Sequence, residues 1–293
     1  MRVLTVGETM ALLDPLEDGA TYNLRIGGAE SNVAIALKRL GVDVTWISRL
    51  GEDPFGDLVA ATLEAEGVDV RVRRDRTRPT GVYFKSRVGG ETRMHYYRGG
   101  SAASRLSPED VPHGDLDGID LVHLTGITTA LGHSARELVH DLVEQARARG
   151  ITVLLDPNYR PALWSSPADA AAALPQADWF LCGLGEGNLL FGTSSPEELA
   201  AAIGSNAAIR VGERGALVTD GGRLVEVAPR RLEDVVDEVG AGDGFAAGFA
   251  YGLLSGWDGV RAAGAGNLVA AGALKGGGDW ETYPRLDEIR DLL

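Results

Sequence analysis

The sequence predicts an α/β fold: a doubly wound, mainly parallel sheet flanked by helices, with a smaller β-sheet lying over one edge as a lid. Three observations carry that prediction. Short β-rich apolar runs alternate with amphipathic stretches along the 293 residues. The runs are apolar almost throughout, as strands covered on both faces are. Two segments interrupt the alternation with patterns suited to antiparallel strands.

The expected strands are residues 3–6, 44–47, 121–124, 152–155, 179–181 and 208–211. Helices are expected at 29–40, 55–66, 134–149 and 196–203, most of them stopping near a glycine. The interrupting segments are about 9–26 and 71–99. The second carries Tyr83, Lys85 and Arg87, then Thr92, His95 and Tyr97, around a turn expected at Gly89-Gly90. These segments form either a lid and dimer surface or a plain decorated edge. Without a linker or internal repeat, residues 1–293 are expected to form a single domain.

Composition excludes several classes of function. A net charge of −14 argues against a nucleic-acid partner, because phosphate backbones are bound through Lys and Arg. No apolar run approaches the roughly 20 residues of a membrane helix, and the first residues read as a strand rather than a secretion leader. A cytoplasmic location is the default. The single cysteine, Cys182, rules out an internal disulfide and reads as a small buried apolar residue. None of the five histidines has ligand spacing, so no protein metal site is expected. Lysine is confined to Lys38, Lys85 and Lys275, which makes arginine the general cation of this chain.

Residues 235–254 run from an apolar approach through Gly240-Ala241-Gly242-Asp243 into a long apolar helix. Glycines there allow backbone N–H groups to come close to a ligand, and the helix points its positive end at the same place. That is the geometry of an anion site. Asp243, in the first turn, is placed either to take a proton from an attacking hydroxyl or simply to complement the helix dipole. Because glycine totals 40 residues, the triplet alone is weak; its strand-to-helix setting is what gives it meaning.

Asp237-Glu238-Val239-Gly240-Ala241-Gly242-Asp243 resembles the C-terminal motif of the PfkB carbohydrate kinases, and Gly27-Gly28-Ala29-Glu30-Ser31-Asn32-Val33-Ala34 resembles their N-terminal motif. Glu238 stands where the family usually has Thr. The resemblance implies the ribokinase-like fold, ATP and Mg2+ as cofactors, and a monovalent cation such as K+ beside the anion site. It further implies that Gly240, Ala241 and Gly242 hold the transferring phosphate and that Asp243 is the base. On the nucleotide side it implies Gly212 and Gly215 in an edge loop, Asn267 beside the adenine, and Glu186 acting through the magnesium shell. Each has a plain alternative: a hairpin turn, a helix-surface amide and a helix N-terminal carboxylate.

Two strand ends bear on the substrate. Period two puts Tyr96 and Arg98 on one face of a strand, and Asp156-Pro157-Asn158-Tyr159-Arg160 follows a parallel strand, where open α/β sheets bind ligands. Two converging arginines suit a carboxylate better than a neutral sugar. Together with Thr5 to Thr9 and the Gly-Gly-Ala-Glu variant of the first motif, these segments resemble the 2-keto-3-deoxygluconate kinases of the family. The resemblance implies phosphorylation of the 6-hydroxyl of that sugar acid, with Gly28, Asn32, Tyr83, Tyr96, Arg98, Ile127 and Arg160 lining its site. The lid edges suggest a homo-oligomer. A fructokinase, a ribokinase, a 5-dehydro-2-deoxygluconokinase and a non-catalytic sugar-acid sensor stand as alternatives.

Overall fold

A computed structural model describes residues 1–16, 20–88, 91–220, 223–230 and 239–293. The expected turn at Gly89-Gly90, and Asp237 and Glu238 of the second motif, lie outside the described residues. In chain order the first half contains β1 (Arg2–Val6), β2 (Met10–Pro15), β3 (Tyr22–Gly27), α1 (Ala29–Arg39), β4 (Asp43–Gly51), α2 (Pro54–Ala65), β5 (Asp69–Asp75), β6 (Val82–Val88), β7 (Glu91–Tyr97), β8 (Leu121–Thr125), α3 (Gly126–Ala130) and α4 (His133–Arg149). The second half contains β9 (Thr152–Asp156), α5 (Pro167–Ala173), β10 (Trp179–Gly183), α6 (Leu184–Phe191), α7 (Pro196–Ile203), β11 (Asn206–Arg210), β12 (Ala216–Asp220), β13 (Arg223–Val227), α8 (Ala241–Leu254), α9 (Gly259–Ala273) and α10 (Leu286–Ile289).

Nine strands form one sheet in the order β13-β12-β11-β10-β9-β8-β1-β4-β5. The strands from β11 to β5 run parallel, and β12 and β13 add an antiparallel edge. Apolarity at successive positions has a direct cause. Val3, Val44, Trp46, Leu121, Leu154 and Leu181 pack with α1, α8 and α9 on one face. Their neighbours Leu4, Ile47, Val122, Leu155 and Cys182 pack with α4 on the other. Such two-sided burial removes most of each side chain from water, about 1.5–3 kcal/mol for each large aliphatic residue. Cys182 is buried and free, and burial pushes its thiol far above the usual range.

The smaller sheet has the order β3-β2-β6-β7. Its strands account for the lid segments with two corrections. Residues 71–75 belong to β5, which pairs in parallel with β4 at the edge of the large sheet, so the second lid segment begins at Val82. An edge strand half open to water alternates much as an antiparallel one does, hence the misreading. Within β7, His95 pairs with Phe84 and Tyr97 with Val82, so these two do not share a face with Tyr83 and Lys85. That leaves Tyr83, Lys85, Met94 and Tyr96 on one face of the small sheet and Val82, Phe84, His95 and Tyr97 on the other.

Candidate active site

The helix start expected to hold an anion is built by two segments meeting at Gly240. This residue caps α8 with φ +82°, a conformation suited to glycine, and a Cβ there would collide with the carbonyl oxygen of Asp279. Tyr283 Oη donates to Gly240 O at 2.7 Å, fixing the turn from behind. The N–H groups that open α8 have no partner within the helix, so Ala241, Gly242 and Asp243 present donors at its positive end.

Asp243 lies half-buried in that first turn, and Asn32 Nδ2 donates to its Oδ2 at 2.8 Å. Burial pushes its carboxyl up to about 7, with the charges of Asp156 and Asp279 adding to the rise and the Asn32 bond and the Arg160 cation opposing it. A carboxyl poised near neutrality suits a general base. A Cβ on Gly28, which immediately precedes α1, would collide with the Glu8 carbonyl oxygen. The N-terminal motif thus places Asn32 beside Asp243 of the C-terminal one.

The ends of the central strands form the pocket floor. Asp156 closes β9, and its Oδ1 accepts the Asn158 N–H at 2.9 Å. Asn158 Nδ2 then reaches 3.4 Å from Asp243 Oδ1. Arg160 lies close enough to stabilise the Asp243 carboxylate, and among the described residues it has no carboxylate at ion-pair distance. Ile127 lies in the first turn of α3, its N–H accepted by Thr125 Oγ1 at 3.1 Å. Thr125 and Thr128 both donate to Glu30 Oε1, at 2.5 and 2.6 Å, tying that turn to α1. Burial pushes the Glu30 carboxyl up, against those two hydrogen bonds. His123, in β8, is buried against Thr5 and pushed down to about 4 by that burial, so it stays neutral.

The lid supplies the opposite wall. Tyr83 and Tyr96 stack with centroids 5.5 Å apart, and the Arg98 guanidinium lies 5.9 Å from the Tyr96 ring centre. Arg98 pairs with buried Glu8, which also accepts from Ser101 Oγ. Its Nε is buried without a protein acceptor. The pair of arginines is therefore unequal, with Arg160 uncompensated and Arg98 already neutralised.

Sequence reasoning missed Asp279. Its carboxylate accepts from Tyr83 Oη at 2.5 Å and pairs with Lys85 Nζ at 2.9 Å, both on the inner lid face. Burial raises its carboxyl, and the Lys85 charge and Tyr83 bond oppose the rise. The same segment attaches to β3 through Arg25–Glu281 at 2.5 Å and Trp280 Nε1–Ile26 O at 3.2 Å. One stretch of chain therefore touches the lid and the anion site together. Neither periodicity nor a motif marks it; its run of three glycines before an acid is the only local cue.

On the nucleotide side, Gly212 and Gly215 have φ +61° and +89° in the turn joining β11 to β12. The turn joins the antiparallel pair β11 and β12 at the carboxyl end of β11. Asn267 Nδ2 donates to Val227 O and Ala228 O at 3.2 and 2.9 Å, so it shapes the chain beside that edge. Both Glu186 oxygens accept backbone N–H groups, from Tyr159 at 2.6 Å and Gly183 at 3.1 Å. Burial pushes its carboxyl up, with Asp156 adding to the rise and Arg210 opposing it.

A glycine-rich helix start and a carboxyl poised near neutrality, set at the carboxyl ends of parallel strands and linked to a small separate sheet, are the features a phosphoryl-transfer site requires. The chain belongs to the pfkB family of carbohydrate kinases, whose pattern matches residues 1–284. It is 35% identical to the 2-dehydro-3-deoxygluconokinase of Bacillus subtilis, over 99% of this chain and 94% of that one. The crystal structure of 2-dehydro-3-deoxygluconokinase from Thermotoga maritima superposes with a TM-score of 0.86 at 28% identity, covering 100% of this chain and 98% of that one. A Vibrio cholerae fructokinase with fructose, ADP and potassium ion bound superposes with a TM-score of 0.90 at 27% identity, covering 100% and 98%.

Proposed function

We propose that this chain is an ATP-dependent 2-keto-3-deoxygluconate kinase that phosphorylates the 6-hydroxyl, with Asp243 as the base. Asp243 takes the hydroxyl proton as the oxygen attacks the γ-phosphorus in line, and the opening N–H groups of α8, at Gly240, Ala241 and Gly242, hold the charge that builds on the phosphoryl oxygens. Gly28, Asn32, Tyr83, Tyr96, Arg98, Ile127 and Arg160 line the sugar-acid side. Gly212, Gly215, Asn267 and Glu186 form the nucleotide side. The small sheet closes over the sugar and excludes water from the reacting oxygen.

Among the described residues no cluster of three acidic, histidine or cysteine side chains is ready to cage a metal. Magnesium at such a site is held largely by phosphates and water. It would neutralise charge on the triphosphate, with Glu186 acting from beyond its water shell. A monovalent cation such as K+ beside the anion site belongs to the same reading. ATP as phosphoryl donor goes with a cytoplasmic setting, and no described helix is long and apolar enough to cross a membrane.

The observation that carries the substrate assignment is Arg160, four residues past the end of β9, which among the described residues has no carboxylate at ion-pair distance and lies within electrostatic reach of the base. A substrate carboxylate supplies the missing partner; a neutral sugar does not. Arg160→Ala should raise the KM for the sugar acid at least about tenfold and the ATP KM far less. Equal effects, or faster turnover of fructose, would sink the assignment. Phosphorus–carbon coupling in the NMR spectrum of the product should place the phosphate on C6.

The outer lid face suggests self-association. Phe84 stacks on His95 at 4.6 Å and on Tyr97 at 5.8 Å, and Tyr97 is 67% exposed. Leu24 is 49% exposed in the same sheet. Sedimentation equilibrium should give a dimer that Tyr97→Arg dissociates; a monomeric wild type would remove this part of the reading.

A further inference from the structure

Arg210 ends β11 at the carboxyl edge of the large sheet, and no step above uses it. Its Nη1 donates to Asp156 Oδ2 at 2.8 Å, and its Nη2 lies 3.8 Å from Glu186 Oε2. Its Cζ stands 5.9 Å from the Phe245 ring centre and 3.7 Å from the place a Cβ on Gly242 would take. The guanidinium is therefore wedged between the end of β9 and the first turn of α8. Burial works against its charge, but Asp156 and Glu186 outweigh that and hold it firmly protonated.

The other oxygen of Asp156 accepts the Asn158 N–H at 2.9 Å. This closes a short Asx turn in which Asn158 takes φ +40°, the one positive value at a non-glycine residue among those described. Asn158 in turn reaches Asp243 Oδ1 at 3.4 Å. A continuous path thus runs from Arg210 through Asp156 and Asn158 to the base, joining β11, β9 and α8.

We infer that Arg210 is a positioning residue for phosphoryl transfer: by neutralising and orienting Asp156, it seats Asn158 against Asp243 and lets the base carry its charge. This rests on the reading of Asp243 as base. The charged and titratable groups around Asp243 are Asp156 and Arg160 at the end of β9, Asp279 in the C-terminal segment, Tyr83 on β6 and Tyr283. Asp279 has Lys85 as its counter-charge, and Asp156 has Arg210. Without Arg210, Asp243 would have to ionise beside an uncompensated carboxylate. Like charge raises a carboxyl pKa, so the base would lose its proton only at higher pH.

The test is the pH profile of kcat/KM for the sugar acid, measured on the full chain. Arg210→Ala should move the acid limb up by about one pH unit. Activity at pH 7 should then fall about fivefold, and the loss should narrow to within about twofold at pH 9. Arg210→Lys should keep the wild-type limb, and the double variant Arg210→Ala with Asp156→Asn should return the limb to the wild-type position or below. An unmoved limb, an equal loss at every pH, or a double variant that stays with Arg210→Ala would each overturn the inference. If Arg210→Ala does not fold, Asp156→Asn alone decides: it leaves a lone cation near the base and should move the limb down, and no movement refutes the inference. Asp243→Asn separates the two readings. An inactive Asp243→Asn with an unmoved Arg210→Ala limb removes only the role of Arg210, whereas an active Asp243→Asn removes the base reading and this one with it.

Discussion

Asn32 Nδ2 donates to Asp243 Oδ2 at 2.8 Å, a hydrogen bond between side chains 211 residues apart. It joins the two glycine-led motifs into one site and stabilises the charged form of a carboxyl that burial disfavours. Asn32→Ala should therefore push the acid limb of kcat/KM to higher pH and lower the value at pH 7 at least about tenfold, the worth of a bond to a charged group. A pH profile of the variant checks both.

The wild-type profile has a predicted sign. The carboxyl of Asp243 moves from 3.8 to about 7 on folding, so the charged base is present only above that pH and kcat/KM should rise through it.

Stability should show the opposite trend. The folded state holds the Asp243 proton more tightly than the unfolded chain does, so this group stabilises the fold below about pH 4 and loses that contribution as pH rises through about 7. Asp243→Asn should melt at the same temperature as wild type near pH 4 and at least about 2 °C higher above pH 7. Scanning calorimetry at the two pH values is the check.

Gly240→Ala should damage the anion site while leaving the lid intact. The new methyl group meets the Asp279 carbonyl oxygen and a φ of +82°, strain of about 1–3 kcal/mol that the turn can relieve only by moving. The expected result is a fall in kcat of at least about a hundredfold with unchanged binding of the sugar acid, measured by calorimetric titration.

Lys85→Ala leaves the buried Asp279 carboxylate without its cation. Breaking a buried pair in this way costs about 3–5 kcal/mol, which denaturant unfolding would register. Adding Asp279→Asn to Lys85→Ala should recover a large part of that loss, since it removes the orphaned charge.

The central strands were legible because burial on both faces makes successive residues apolar, as Leu121 and Val122 or Leu154 and Leu155 show. Strand alternation placed Tyr96 but not Arg98, which falls one residue past the end of β7 and nonetheless lies over the Tyr96 ring. The pairing of Arg98 with Glu8 was not legible, because the two lie 90 positions apart, where spacing carries no information. Asp279 escaped for the same reason, its partner Tyr83 lying 196 residues away in a segment with no period of its own. Arg210 was hidden by abundance, since in a chain that uses arginine almost everywhere one more at a strand end is not conspicuous.

The most direct test of the account is the turnover number of Asp243→Asn with 2-keto-3-deoxygluconate, ATP and magnesium. Asparagine keeps the shape and the contact with α1 but cannot take a proton, so kcat should fall by about two to four orders of magnitude while substrate binding persists. A kcat within tenfold of wild type would contradict it.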